Sequence, residues 1–207
     1  MHVILTGFGP FPGVPFNPSA ALVKALAGRR RPALAGIERS THIFATTYNS
    51  VDRDLPKLFA RHPDIVLMFG LAGERRQLCI ETRARNAVSL LAPDASGHRS
   101  VRGVIVPSGP SSRRGAAPFA SLVGAVRASR FPVRPSRDAG RYLCNYSYWR
   151  GLEAARHRRP LVQFVHVPRV RLSPQRARLP GRRRASFGHL VTAAEMLLIG
   201  LVAARRR

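Results

Sequence analysis

His2-Val3-Ile4-Leu5-Thr6-Gly7-Phe8-Gly9-Pro10-Phe11-Pro12-Gly13-Val14-Pro15-Phe16-Asn17-Pro18-Ser19-Ala20-Ala21-Leu22-Val23-Lys24-Ala25-Leu26 is the stretch whose reading decides the fold. His2 to Thr6 alternates poorly and is mostly apolar, which suits a central strand buried on both faces. Gly7 to Phe16 holds too much glycine and proline to be helix or strand. Asn17-Pro18-Ser19 then reads as an N-cap with proline at the first helical position, and the helix ends near Gly28. A strand, an aromatic loop and a helix in that order form one unit of an open α/β sheet. Ligands bind such sheets at the strand's C-terminal end, where this loop lies.

Working outward, the same alternation of elements continues. The patterning predicts a strand over Ile37 to Thr46, a helix over Ser50 to Arg61 with Val51, Leu55, Leu58 and Phe59 inward, and a nearly all-apolar strand from Asp64 to Gly70. Arg75 to Asn86 contains a strand, Gln77 to Thr82, whose alternation sets Leu78 and Ile80 on one face and Cys79 and Glu81 on the other. Leu91 to Arg114 is the least patterned part, with one short strand expected at Gly103 to Val106. A helix over Ala116 to Ala128 and a short strand at Phe131 to Arg134 follow. Arg169 to Arg184 reads as a basic, proline-containing surface loop, and Leu190 to Ala204 as a terminal helix closed by Arg205 to Arg207. The element order predicts a three-layer α/β/α fold with a mixed, mostly parallel central sheet, and without repeats or a linker residues 1–207 are read as a single domain.

The composition, 45% hydrophobic, is that of a globular chain. The two cysteines, Cys79 and Cys144, make no disulfide framework and point to a reducing cytoplasm. Met1 to Gly7 lacks the basic n-region and apolar length of a signal peptide, and Leu190 to Ala204 carries Glu195 and falls short of a span, so no membrane segment is expected. The net charge of +25 would favour a nucleic acid or an acidic surface as partner. The arginines are scattered rather than striped, however, and no nucleic-acid motif or aromatic stacking platform accompanies them. With lysine present only at Lys24 and Lys57, the excess reads as an arginine-for-lysine surface rather than a nucleic-acid site.

Chemistry concentrates further along. Gly140 to Ala155 reads as a glycine turn that delivers Cys144 to the first turn of a helix, where unpaired N–H groups and the positive end of the macrodipole stabilise a thiolate. Pro160 to Pro168 is an apolar strand that ends in His166. A thiol needs a neighbour to take its proton, that base needs a third group to fix its tautomer, and imidazole suits both duties near neutral pH. His2, His42, His62, His98, His157 and His189 lack such a setting and read as structural or solvated. No Cys or His pair stands at metal-ligand spacing, and neither metal nor cofactor is expected.

Thr6-Gly7-Phe8-Gly9-Pro10-Phe11, Asn17-Pro18-Ser19, Gly140 to Asn145 and Phe164-Val165-His166-Val167-Pro168 together resemble, in order and spacing, the pyroglutamyl peptidase I family of cysteine peptidases. The resemblance covers nearly the whole chain. It implies Cys144 as nucleophile, His166 as general base and then acid, and Glu81 as the carboxylate that orients the imidazole. It further implies that N-terminally pyroglutamylated peptides are the substrate, with Phe8 and Phe11 as aromatic faces for the lactam and Tyr142 and Leu143 lining its floor. Phe16 and Asn17 are secondary candidates, and backbone N–H groups near Leu143 and Cys144 are the expected oxyanion donors. Relatives of this kind form homo-oligomers, which implies a dimer or tetramer here.

Two departures from the family pattern stand out. Gly70-Leu71-Ala72-Gly73-Glu74-Arg75 takes the place of Gly-Gln-Ala-Gly-Gly-Arg, so the polar side chain near the lactam has become Leu71. Ser89 to Ala95 replaces Asp-Ala-Arg-Ile-Pro-Asp-Asn, which sets Leu91 where an arginine supports the oxyanion. Losing one such donor costs about 3 kcal/mol, and Arg83, Arg85 and Arg99 are the cations open to replace it. Two alternatives therefore stand beside the peptidase: a related thiol amidase with a changed N-terminal substrate, and a non-catalytic binding homologue.

Overall fold

The computed structural model describes residues 1–156, 160–171 and 185–207. His157 and residues 172–184 of the expected basic loop lie outside these described residues. The elements in order are β1 (His2–Phe8), α1 (Pro18–Ala27), a 3-10 turn (Pro32–Leu34), β2 (Glu38–Phe44), α2 (Tyr48–Phe59), β3 (Ile65–Leu71), β4 (Leu78–Glu81), β5 (Arg83–Arg85), β6 (Ser112–Arg114), α3 (Phe119–Arg127), β7 (Val133–Ser136), α4 (Leu143–Ala155), β8 (Leu161–Val167) and α5 (Phe187–Arg206).

Six strands form one sheet in the order β2-β1-β3-β8-β4-β7. β2, β1, β3 and β8 run parallel. β4 turns against β8 and carries β7 parallel to itself. The fold is therefore the three-layer α/β arrangement with a mostly parallel mixed sheet. The parallel strands are buried on both faces, which is why His2–Phe8 and Ile65–Leu71 read as continuous apolar runs.

The pleat sorts side chains to two cores. Val3, Leu5, Leu67, Phe69, Leu78, Ile80 and Val165 pack with α1, α3 and α5. Ile4, Phe8, Val66, Met68, Val162 and Phe164 pack with α2 and α4 on the opposite face. Each fully buried Leu, Val or Phe contributes about 1.5–3 kcal/mol, so neither layer can be peeled away cheaply. Asn17 caps α1 by accepting the Ser19 amide, with proline in the first turn, and Thr47 caps α2 by accepting the Ser50 amide. At Gly7 a Cβ would stand 2.8 Å from the Ser19 carbonyl oxygen, so only glycine lets the start of α1 sit against the end of β1.

Two expectations are corrected. Gly103 to Val106 is not a strand: the Ile105 and Val106 amides donate to Asn86 Oδ1 instead of to a ladder. The strand in that region is β6, paired antiparallel with β5. The terminal helix starts at Phe187, three residues earlier than expected, with Ser186 accepting the His189 amide as its cap. By length and composition it could cross a membrane, but half of its apolar stretch is buried inside the fold. Leu190, Leu197, Leu198 and Leu201 are wholly buried there, as in a core helix wedged between α1 and α3.

Candidate active site

Cys144 is set in place by the turn before it. Gly140 adopts φ +81°, a left-handed conformation that glycine takes without steric cost, and its amide donates to Asp138 Oδ1. Tyr142, in extended conformation, is the N-cap of α4 and supplies no side-chain cap. The first amide to bond back is that of Tyr146, to the Tyr142 carbonyl. The Leu143, Cys144 and Asn145 amides of the first turn therefore have no acceptor within the helix, and the dipole's positive end is open toward the thiol. The buried Asn145 side chain accepts the Arg85 amide and donates to the Arg85 and Ala87 carbonyls, tying this helix start to β5.

Cys144 is half-buried and unpaired. Its sulfur lies over β3 at Gly70, where a Cβ would stand only 2.7 Å from Sγ and from the Phe164 ring. Gly70 is the parallel partner of His166 in the β3–β8 register. The bare backbone at Gly70 thus makes the seat in which sulfur and imidazole meet.

His166 and Glu81 come from the adjacent antiparallel strands β8 and β4, on the α4 face of the sheet. His166 is 5% exposed and Glu81 is fully buried. Nδ1 of the imidazole lies 2.8 Å from Glu81 Oε1, and the Cys144 sulfur is near enough to act on the charge of the same ring. With Nδ1 engaged by the carboxylate, Nε2 is the nitrogen left for sulfur. Phe164 packs edge-on to the imidazole at 5.0 Å between centroids, which walls off one side. Burial by itself pushes the His166 pKa down, but Cys144 and Glu81 more than offset it and raise it to about 9. Burial likewise works to raise the Glu81 pKa, yet His166, Ser136 and Arg75 hold that carboxyl below the usual range. The arrangement favours a charged imidazolium beside an ionised carboxylate.

The other predicted residues separate by burial. Phe8 is 3% exposed and packs on Phe44 with ring centroids 5.7 Å apart, and Leu143 is buried as well, so both belong to the core layer under the site. Phe11, Leu71 and Tyr142 are partly exposed. Phe11 and Val14 exchange backbone hydrogen bonds that close a tight turn, and Tyr142 donates its hydroxyl to the Pro93 carbonyl. Both ends of the buried Asn17 amide are engaged, one capping α1 through Ser19 and the other donating to the Gly9 carbonyl. It shapes the aromatic loop from beneath. Phe16 is 40% exposed, and Leu91 is 82% exposed. Of the three nearby cations, Arg83 donates to the Arg137 carbonyl, Arg85 lies 3.9 Å from Asp138, and Arg99 faces solvent.

Sequence reading missed Gly70 and Arg75 as parts of the site. The signal for Gly70 was available: a glycine near the end of an apolar parallel strand marks a place where something approaches the backbone closely.

The model of the pyroglutamyl peptidase family (peptidase C15) matches residues 1–193. The pyrrolidone-carboxylate peptidase of Vibrio vulnificus is 31% identical over 198 residues, covering 95% of this chain and 91% of the relative. The protein of the same name from Gloeobacter violaceus is 30% identical over 200 residues, covering 96% and 95%. The crystal structure of pyroglutamyl peptidase I from Bacillus amyloliquefaciens aligns with a TM-score of 0.85 at 26% identity, over 99% of this chain and 98% of that one. With the match running through all three elements that carry Glu81, Cys144 and His166, the chain belongs to the pyroglutamyl peptidase family of cysteine peptidases.

Proposed function

We propose that this protein hydrolyses the amide bond after an N-terminal pyroglutamate of peptides, with Cys144 as nucleophile, His166 as base and acid, and Glu81 as the orienting carboxylate. The observation that carries this reading is an imidazole bonded at Nδ1 to a buried carboxylate and raised in pKa by that carboxylate and by a half-buried sulfur at a helix start.

In the first half-reaction the Cys144 thiolate attacks the pyroglutamyl carbonyl carbon. The developing oxyanion is received by first-turn amides of α4 at Leu143 and Cys144. The proton that left the thiol sits on His166 and passes from Nε2 to the departing amine as the C–N bond breaks, leaving a thioester on Cys144. In the second half, His166 takes a proton from water, the hydroxide attacks the thioester, and free pyroglutamate leaves as the thiol is restored. Glu81 keeps the proton on Nδ1 and stabilises the imidazolium through both halves. A flat, uncharged lactam suits an apolar surface with an aromatic side chain, for which Phe11, Leu71 and Tyr142 are the partly exposed candidates.

Family membership supports a homo-oligomer, dimer or tetramer, which light scattering measures. An unpaired nucleophilic thiol supports a cytoplasmic location. The experiment that tests the function is release of a fluorophore from a pyroglutamyl amide. Turnover is expected from the native chain and is lost in Cys144→Ala, with alkylation by iodoacetamide selecting Cys144 over the buried Cys79. No turnover by folded native protein on any pyroglutamyl leaving group would reject it.

A further inference from the structure

Arg75 leaves the loop after β3 and joins two parts of the site that are far apart in the chain. One arm of its guanidinium lies 2.7 Å from Glu81 Oε1 and 3.4 Å from Ser136 Oγ. The other lies 2.7 Å from the carbonyl oxygen of Asp138. Glu81 Oε1 is the same atom that holds His166 Nδ1, while Oε2 has no hydrogen-bond partner among the described residues. Asp138 belongs to the turn whose Gly140 launches α4, and its side chain also accepts the Gly140 amide. One rigid, permanently charged fork therefore clasps the carboxylate end of the constellation and the backbone that delivers the cysteine. A lysine is a single flexible point charge and cannot span both.

We propose that Arg75 is a positioning residue that holds Glu81 against His166 and fixes the Asp138–Gly140 turn that sets Cys144, an inference that rests on the cysteine-peptidase reading above. Arg75 acts on the Cys144–His166 pair through its two partners, the Glu81 carboxylate and the Asp138 carbonyl.

The sign of its effect on pH dependence follows from what surrounds Glu81. His166 faces it from β8 and Tyr148 from α4, with Cys144 beyond the imidazole and Cys79 on β4 itself; Tyr148 donates its hydroxyl to the Glu81 backbone carbonyl. Asp138 and Arg85 lie just beyond Arg75. Among these, Arg75 is the cation in direct contact whose charge does not depend on pH near neutrality. Its removal leaves a fully buried carboxylate balanced by imidazolium alone, so Glu81 takes up a proton at a higher pH than in the native protein. The acid limb of the activity profile then moves upward, because a protonated Glu81 no longer favours the imidazolium.

The test compares native protein, Arg75→Gln and Arg75→Lys in kcat and KM on a pyroglutamyl fluorogenic amide across pH, with Cys144 alkylation rates measured alongside. Arg75→Gln is expected to lower kcat roughly 10–100-fold with little change in KM, as loss of an outer-sphere partner does elsewhere, and to raise the acid limb by about one unit. Arg75→Lys, which keeps the charge but not the fork, restores the acid limb while kcat stays below native. An unshifted profile in Arg75→Gln overturns the proposal, as does a loss that is equal at every pH and tracks unfolding in a thermal melt. Cys144→Ala is run beside them: if it retains native turnover, the peptidase reading fails, and that failure is separate from any result at Arg75.

Discussion

Glu81 and Glu195 are the two glutamates that this fold buries completely, and both hold their carboxyl pKa below the usual range against a burial effect that works the other way. Their partners differ. On α5, Glu195 has both oxygens engaged: Oε1 lies 2.8 Å from Arg29 Nε, and Oε2 lies 3.2 Å and 3.1 Å from Arg29 and Arg31. On β4, Glu81 crowds His166 and Arg75 onto Oε1 and leaves Oε2 unpaired among the described residues. Glu195 meets cations that keep their charge at any working pH. Glu81 meets one such cation and one group that gives up its proton as pH rises through about 9. A saturated buried carboxylate pins a helix. One left partly unsatisfied against a titratable ring keeps its charge available for chemistry, which is where strain and unmet hydrogen bonds are expected to collect.

Removing the charge from each carboxylate without changing its shape is the strongest way to break that comparison. Glu81→Gln should lower kcat by about 10²–10⁴, because an amide can neither stabilise imidazolium nor enforce the tautomer. Its far-ultraviolet circular dichroism should remain native. A Glu81→Gln enzyme within threefold of native turnover would remove Glu81 from the mechanism. The next effect concerns the proton itself. Cys144 and Glu81 together lift His166 to about 9. Cys144→Ser takes away the sulfur that helps to raise the imidazole pKa, so the imidazole proton followed by NMR should leave the ring at lower pH than in the native protein. In the native enzyme, activity should fall as pH rises through about 9, where His166 gives up its proton. The same raised pKa makes a contribution to stability that is complete below the ordinary histidine range of about 6.5 and is lost as pH climbs through the folded value.

The parts of this arrangement that follow local rules were legible before any coordinates. The strand–loop–helix at His2–Ala27, Cys144 on a helix's first turn, His166 near the end of an apolar strand and the face of Glu81 all come from period, caps and glycine. What could not be read was direction and long-range contact. Nothing in Leu78-Cys79-Ile80-Glu81 says that this strand runs against β8, yet that reversal sets Cys79 opposite His166 and Glu81 two residues on. Arg75 matches the last position of the family's Gly-Gln-Ala-Gly-Gly-Arg stretch, but a basic residue in a loop carries no mark of the buried carboxylate it meets. Val104-Ile105-Val106 had the composition of a strand, but the Asn86 side chain took its amides, a local bond that competes with any ladder. The three-residue β6 at Ser112–Arg114 has no apolar alternation to reveal it. Leu91 was expected to matter by its position, and it faces solvent.

Glu195 supplies the smallest effect and the sharpest contrast in pH. Arg29 and Arg31 are partly exposed, at 37% and 48% of their side chains, so once the carboxylate is gone they can turn to water. Glu195→Gln should therefore cost only about 1–2 kcal/mol, well under a fully enclosed ion pair, with kcat unchanged. In a chain of this size that is a fall in Tm of roughly 2–8 °C at neutral pH. Because the folded pKa is depressed, the native charge contributes its full stability above the unfolded value of about 4.3 and loses it as pH falls through the folded value. The gap in Tm between native protein and Glu195→Gln should consequently be widest near neutrality and shrink in acid. A gap that stayed constant down to strongly acidic pH would mean that the Glu195 charge contributes nothing, and that the two buried glutamates differ in packing rather than in what balances them.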